Sequence, residues 1–215
     1  MYYEELSPIV FAVIYNRLLR SERLVRLLTC YKRNKSPYLD TSFEEEIERI
    51  GGVNNLVYMG QDLDKCTDVH IYPLEHIPDA KLDQKTYLTV TLNGGYTTEV
   101  AQYKKVIVCV DVVVHDEQSV ILSDNPDYPI AYRLYDIVHE IDAIINDKRL
   151  EDFSPGRMSL IGFQRRYYNS YFNGLQLQYQ LTLNSTIGCD GGSTNLLPKF
   201  ILKNWTLYSC IAGDR

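Results

Sequence analysis

The chain has 215 residues, with 22 lysine and arginine residues against 28 aspartate and glutamate residues, so the formal net charge is −6. This acidic balance argues against a protein that grips nucleic acid broadly, since such domains usually present a basic face. The hydrophobic fraction of 45% excludes general disorder. The most apolar stretch, residues 9–30, holds five charged residues, whereas a membrane span needs about 20 nearly uncharged ones. We therefore expect a single folded domain over residues 1–215 that does not bind membranes.

The first predicted element is a helix that begins at Ser7-Pro8, because serine is a favoured N-cap and proline suits the first helical position. The helical spacing of apolar residues restarts after Ser21, which predicts either a second helix or a kink there. Basic residues recur at positions 17, 20, 23 and 26 and stay on one slowly turning face. We interpret this face as solvated; a surface for an acidic partner or phosphate is the alternative.

Residues 32–68 are predicted to form an excursion or insertion from the main fold. They open with a polar breaker and include a short acidic helix, Phe43 to Ile50, that Thr41-Ser42 would cap and Gly51-Gly52 would end. The stretch that follows has little periodicity. Long loops of this kind in compact domains are often contact surfaces.

Three segments in the middle of the chain show strand patterns, at residues 68–74, 86–92 and 105–114. The third is almost entirely β-branched and apolar, which is typical of a central strand covered on both faces. Asn93-Gly94-Gly95, after the second segment, predicts a turn.

The clearest helical pattern follows a proline-rich turn at residues 125–129. Its apolar residues form one stripe, which must lie on another surface, and the sheet is the obvious one. The stripe consists of Ile130, Leu134, Ile137, Val138, Ile141, Ile144 and Ile145. The opposite face carries Arg133, Asp136, Glu140 and Asp147.

The last strong pattern is a hairpin with arms at residues 158–168 and 174–184. In the second arm, leucine and tyrosine alternate strictly with glutamine and threonine, which predicts one core face and one polar face. The connection is very aromatic, and such a tip is hard to bury in its own core. Together with the 18 tyrosine residues of the chain, it predicts inter-subunit contacts; local packing within the monomer is the alternative. These are assigned to Tyr167, Tyr168, Tyr171 and Phe172.

Residues 185–215 are predicted to be a C-terminal extension with a glycine-rich turn and a short strand at 200–208. The whole order of elements predicts an α+β domain, in which a mainly antiparallel sheet is packed by the long helix and the N-terminal helix.

Catalytic motifs are not found in the sequence, which lacks GxGxxG, GxxxxGK[ST], HExxH and GxSxG. The five cysteine residues are scattered without a CxxC pair, so we expect a reducing cytoplasm and no disulfide framework. Cys66, His70 and His76 match no metal-ligand spacing. We therefore expect no enzymatic activity, no metal and no cofactor.

One chemical alternative stays open at the end of the predicted central strand. Imidazole and carboxylate groups there, with others on the long helix, have the chemistry to hold a divalent metal for hydrolysis. The alternative is a small α+β metal-dependent hydrolase that uses His115, Asp116, His139 and Glu140.

A resemblance rests on residues 106–115, the central strand, and residues 132–142, the helix that follows a short loop. In the helix, Asp136-Ile137 is followed by Ile141-Asp142-Ala143-Ile144-Ile145, and a paired strand at 174–184 closes the sheet. This order resembles the tail-completion and tail-terminator-like neck proteins of tailed phages over residues 84–184. The Ser7-Pro8 helix and the tyrosine-rich and asparagine-rich composition resemble neck ring proteins of crAss-like phages. The segment at 32–68 and the extension after residue 184 depart from the small terminator pattern.

The resemblance implies a structural virion protein of the neck and tail, assembled in the host cytoplasm. Such proteins form a homo-oligomeric ring, of six or twelve copies, between the portal or adaptor ring and the tail proteins. The ring leaves a channel through which DNA passes without specific binding. The family has no catalytic residues to carry over. The negative charge of the chain fits such a channel, because it repels phosphates.

Overall fold

The computed structural model describes residues 7–29, 42–60, 68–76, 85–97, 103–122, 126–127, 129–150 and 156–184. Four α-helices occur in these residues: α1 Ser7–Asn16, α2 Glu22–Thr29, α3 Phe43–Arg49 and α4 Arg133–Ile145. A five-stranded sheet contains β1 Ile71–Tyr72, β2 Thr86–Thr97, β3 Tyr103–His115, β6 Ser159–Asn169 and β7 Phe172–Asn184. A separate two-stranded ribbon is formed by β4 Val120–Leu122 and β5 Ile130–Tyr132. The predicted α+β class is confirmed.

The sheet has the strand order β1-β2-β3-β7-β6, and every pairing is antiparallel except β1 with β2. The central position of β3 is confirmed. Its even-numbered valines, 106 to 114, are buried in the main core, and α4 packs across β3 and β7 on this side. Helix α2 packs on α4. The helices and the even-numbered side of β3 therefore enclose one core.

The N-terminal segment contains two helices, because the chain breaks at Ser21. After α1, a 3-10 turn at Leu18–Arg20 leads into α2, and Ser21 Oγ accepts a hydrogen bond from Leu24 N at 3.1 Å. This is the capping role that serine takes at a helix start. Two residues of the predicted basic face pair with acids of the same chain: Arg23 with Glu140 at 3.7 Å and Arg26 with Glu22 at 2.9 Å.

The described part of segment 32–68 contributes to the core of the domain. Ser42 caps the start of α3, as the sequence predicts, and Glu45 completes a reciprocal capping box with it. Helix α3 has no buried residue, but Ile50, Leu56 and Val57, which follow it, are buried in the main core. The remaining residues of the segment, 32–41 and 61–67, lie outside the described part of the chain.

Two predicted boundaries are wrong. Asn93-Gly94-Gly95 is not a turn: β2 runs on to Thr97 and forms a bulge between Leu92 and Gly95. Glycine suits this bulge, because Gly94 has a φ of 76° and a Cβ on Gly95 would lie 2.7 Å from the Lys105 carbonyl oxygen. Helix α4 begins at Arg133 rather than Ile130, since residues 130–132 pair with residues 120–122.

The predicted hairpin is confirmed, with a two-residue connection between β6 and β7. The core face of β7 is buried at Leu177, Tyr179, Leu181 and Leu183, as the alternation predicts. The predicted C-terminal extension, residues 185–215, lies outside the described part of the chain. Of the helices described, none has the length and apolar character needed to cross a bilayer.

Candidate functional site

The four residues of the hydrolase alternative do not converge. His115 lies at the end of β3, where its Nδ1 accepts from Glu117 N at 3.2 Å and its ring contacts Phe172 edge to face. On α4, which packs on the other face of the sheet, His139 is exposed and Glu140 accepts from Ser21 Oγ at 2.6 Å. Within the described ranges, no three histidine, cysteine, aspartate or glutamate side chains come together as metal ligands. The geometry therefore does not assemble the predicted metal site.

The other candidate metal residues have packing roles where they are described. His70 is fully buried, and its Nδ1 lies 2.7 Å from the Thr86 carbonyl oxygen, so this nitrogen carries the proton and donates. Burial lowers the pKa of His70 to about 4. His76 stacks on Tyr72 with ring centroids 3.8 Å apart. Cys66 lies outside the described residues.

The aromatic residues of the hairpin tip divide into two pairs. Phe172 is buried in a small aromatic cluster with Tyr72 and Tyr87, and Tyr168 packs against this cluster. Tyr167 and Tyr171 are exposed, by 75% and 53% of their surface. Phe172 and Tyr168 are therefore used within the subunit, whereas Tyr167 and Tyr171 remain available for the predicted inter-subunit contact.

A row of polar side chains crosses the sheet on the face opposite the helices, buried at Thr89, Asp111 and Gln176 and exposed at Gln164. Thr89, Asp111, Gln176 and Gln164 stand opposite one another in successive strands. Asp111 accepts from Thr89 Oγ1 at 3.0 Å and from Gln176 Nε2 at 2.8 Å, and Gln164 Nε2 donates to Gln176 Oε1 at 2.7 Å. Burial raises the pKa of Asp111. These groups satisfy one another, so the row fixes the register of four strands rather than presenting groups to a ligand.

Gly174 is needed beside this row because the Tyr168 ring lies directly over it. A Cβ at position 174 would stand 2.5 Å from Tyr168 Cε2. We expect Gly174→Ala to lower the free energy of unfolding by about 1–3 kcal/mol, the usual cost of overpacking. In a Tyr168→Ala background the ring is gone and only the Arg166 carbonyl oxygen, 3.2 Å from the added Cβ, stays close, so the same substitution should cost less. Urea denaturation of the four proteins measures this difference; equal costs in both backgrounds would contradict the close contact.

The first exposed apolar surface lies on the two-stranded ribbon. In its antiparallel register Val120 is opposite Tyr132 and Leu122 is opposite Ile130, so these four side chains share one face. Tyr135, in the first turn of α4, extends this face, and its ring lies 6.2 Å from that of Tyr132. All five side chains are exposed, by 40% to 62%. We call these five residues the ribbon patch.

The second exposed apolar surface lies on β6, the last strand of the sheet. Phe163 and Tyr167 stand opposite Leu177 and Asn173 of β7, on the face that carries the helices. They are nevertheless 70% and 75% exposed, because the helices pack on β3 and β7 and leave this margin open. Ile161, in a bulge of the same strand, is 49% exposed. We call Ile161, Phe163 and Tyr167 the edge patch.

Sequence reasoning identified Tyr167 but missed the rest of both patches. Two three-residue apolar runs, Val120–Leu122 and Ile130–Tyr132, flank the proline-rich turn and were the available signal for the ribbon. Ile130 was instead assigned to the helical stripe, because its spacing to Leu134 fits a helix. In β6, apolar residues at alternate positions 161 and 163 indicate an apolar face. The pattern does not show that the helices leave this face exposed to solvent.

Comparison with known proteins identifies the family of the chain. No curated protein matches the chain. The model of the YomW family matches residues 21–181, which is most of the chain and includes α2, the whole sheet up to Leu181, the ribbon and α4. The family takes its name from a protein of a Bacillus phage region, which associates it with phages. The chain belongs to the YomW family.

Proposed function

We propose that this protein is a structural component of a phage virion and forms a homo-oligomeric ring in the neck. The ring stacks between the portal or adaptor ring and the tail proteins and leaves a channel for DNA. The observation that carries the proposal is the pair of exposed apolar surfaces, the ribbon patch and the edge patch, on a chain whose family is associated with phages. Large exposed apolar surfaces mark interaction sites on folded proteins.

The presence of two different patches favours a ring over a simple dimer. A two-fold dimer needs one self-complementary surface, whereas a ring uses two different surfaces that meet head to tail. Here the two patches lie on separate elements of the domain, the ribbon with the start of α4 and the margin of the sheet. This arrangement is suited to head-to-tail contacts between copies.

The charge of the chain supports a channel that does not hold DNA. The net charge of −6 per copy is multiplied in a ring, so the assembly as a whole repels phosphates. Proteins that bind DNA tightly neutralise phosphates with lysine and arginine instead. DNA is therefore proposed to pass without specific binding.

The mass in solution tests this proposal. We expect light scattering over a concentration series to show a discrete particle of six or twelve times 24.9 kDa. The particle should persist when the ionic strength is raised, because contacts between apolar patches are not screened by salt. A mass of 24.9 kDa at every concentration would contradict self-assembly, and a two-fold dimer would contradict the ring.

A further inference from the structure

We propose that the ribbon patch of one copy binds the edge patch of the next copy, so that these two surfaces form the ring contact. This inference rests on the proposed ring and assigns the surfaces through which it forms. The ribbon patch consists of Val120, Leu122, Ile130, Tyr132 and Tyr135, and the edge patch of Ile161, Phe163 and Tyr167. Four features support the assignment.

The ribbon is apolar on both faces. Ile121, which points the other way from Val120 and Leu122, is buried in the main core, and Ala131 packs against it. Strands with one face in solvent normally carry polar residues there. A strand pair that is apolar on its outer face as well has the composition of strands buried on both faces. Among the described residues, no part of the chain buries this outer face, since the ribbon patch is exposed.

The edge patch is an uncovered continuation of the core. Phe163 stands opposite Leu177 in the register of β6 with β7, and Leu177 is buried in the main core. The apolar face of the sheet therefore continues from the buried core to the last strand, where its side chains are exposed to solvent. Another apolar surface placed over Phe163 and Tyr167 would extend the buried core by one element.

The described residues around the two patches differ in charge. Glu117, Asp127 and Asp136 flank the ribbon in sequence, and the basic residue of this stretch, Arg133, is buried. Asp116 belongs to the other end of the sheet, where it accepts from Asn173 Nδ2. Strand β6 holds no acidic residue and two arginines, of which Arg166 lies on the opposite face, 3.8 Å from Asp111. Arg165 lies on the same face as Phe163 and Tyr167, and its guanidinium carbon is 5.0 Å from the Tyr167 ring centroid. Complementary charge of this kind steers association and selects the partner surface.

The charges around the ribbon patch complement those around the edge patch, but neither patch complements a second copy of itself. An edge patch facing a second edge patch would bring two Arg165 side chains together, and two facing ribbon patches would bring the acidic flanks together. Like charges across an interface oppose association. The favourable pairing is therefore ribbon to edge between neighbouring copies, which is the head-to-tail contact of a ring.

Two double variants test the assignment. The edge variant carries Phe163→Asp with Tyr167→Asp, and the ribbon variant carries Ile130→Asp with Tyr135→Asp. Each adds two carboxylates to a patch that is exposed in the subunit, so circular dichroism and urea denaturation should show an intact fold. A control variant, Leu74→Asp with Ser159→Asp, adds the same charge at exposed positions outside both patches.

We expect each double variant alone to weaken self-association about a hundredfold or more, whereas the control assembles like the wild type. An equimolar mixture of the two variants should form a dimer of twice 24.9 kDa. In that mixture, the intact ribbon of one variant can meet the intact edge of the other, and no further contact is possible.

The remaining outcomes overturn the inference in distinguishable ways. If either double variant assembles like the wild type, or if the mixture stays monomeric where the wild type is assembled, the two patches do not pair. The proposed ring would then stand with other contacts. If the wild type is itself monomeric at every concentration, the proposed function fails together with the inference.

Discussion

Replacing Arg133 with methionine is expected to lower the free energy of unfolding by about 3–5 kcal/mol, because it removes two buried hydrogen bonds from a charged donor. Arg133 is fully buried at the start of α4. Its Nη1 donates to the Leu27 carbonyl oxygen at 2.6 Å and its Nε to the Gln118 carbonyl oxygen at 2.8 Å. One side chain therefore links the last turn of α2, the 3-10 turn after β3 and the start of α4.

The expected loss comes from the two carbonyl groups that would remain. Methionine fills similar space but has no donor, so both oxygens would be buried without the arginine bonds, and each such loss costs about 1.5–3 kcal/mol when the donor is charged. Leu27 lies among the last residues of α2, whose carbonyl groups have no partner within the helix. A positive charge at that helix end is also favourable.

Urea denaturation at neutral pH measures this prediction. Arg133→Lys should give an intermediate loss, because a single ammonium group cannot reach both carbonyl oxygens in the geometry of the guanidinium. Arg157→Met is the matched control, since Arg157 forms an ion pair with Asp147 in which both side chains are more than half exposed. Such a pair contributes little, so we expect a change below about 1 kcal/mol. If Arg133→Met lowered the free energy of unfolding as little as Arg157→Met does, the role assigned to Arg133 would be contradicted.

Acid is expected to destabilise the protein through His70, by roughly 3 kcal/mol between pH 7 and pH 4. Burial lowers the pKa of His70 in the folded protein to about 4, and the positive charges of Lys85 and Arg133 act in the same direction. The unfolded chain has the ordinary value of about 6.5. As pH falls through 6.5, the unfolded chain therefore binds a proton that the folded protein does not bind until about pH 4, and the free energy of unfolding falls.

His70→Asn separates this effect from the titration of carboxylates. The asparagine amide can still donate to the Thr86 carbonyl oxygen in place of Nδ1, but it does not titrate. The free energy of unfolding is measured for both proteins from about pH 8 to pH 4, and between pH 7 and pH 4 it should fall more steeply for the wild type. The two curves should run parallel above pH 7. Parallel curves throughout the range would contradict the assignment to His70.

The longer elements of the fold could be predicted because their sequence patterns are long. Strands β3 and β7 each have 13 residues, so their β-branched run and strict alternation stand out from chance. The ribbon could not be found in this way, since three-residue strands are too short to show a period. Its residue Ile130 also fits the spacing of the following helix.

The candidate site was predictable only in part. A sequence pattern shows which residues share one face of a sheet, but it does not show how much of that face the helices bury. The alternation in β6 places Phe163 and Tyr167 on the helix side of the sheet. Whether helices reach them depends on where α4 crosses. Likewise, the spacing of Arg133 to Ile137 and Ile141 puts it on the buried stripe of α4, but a charged residue is normally expected in solvent. The prediction that Arg133 faces away from the core is wrong for this reason.

The bulge in β6 bears on the size of the proposed assembly. Between Leu160 and Gly162 the strand loses its regular pairing with β7, so its outer margin is not a straight template for adding further strands. Addition of strand after strand is the route to open fibrils, which grow without limit. An irregular margin that associates through side chains favours instead a contact with one fixed angle between copies. Repetition of a suitable fixed angle closes after a set number of copies, so in the proposed ring the bulge would help to keep the assembly finite.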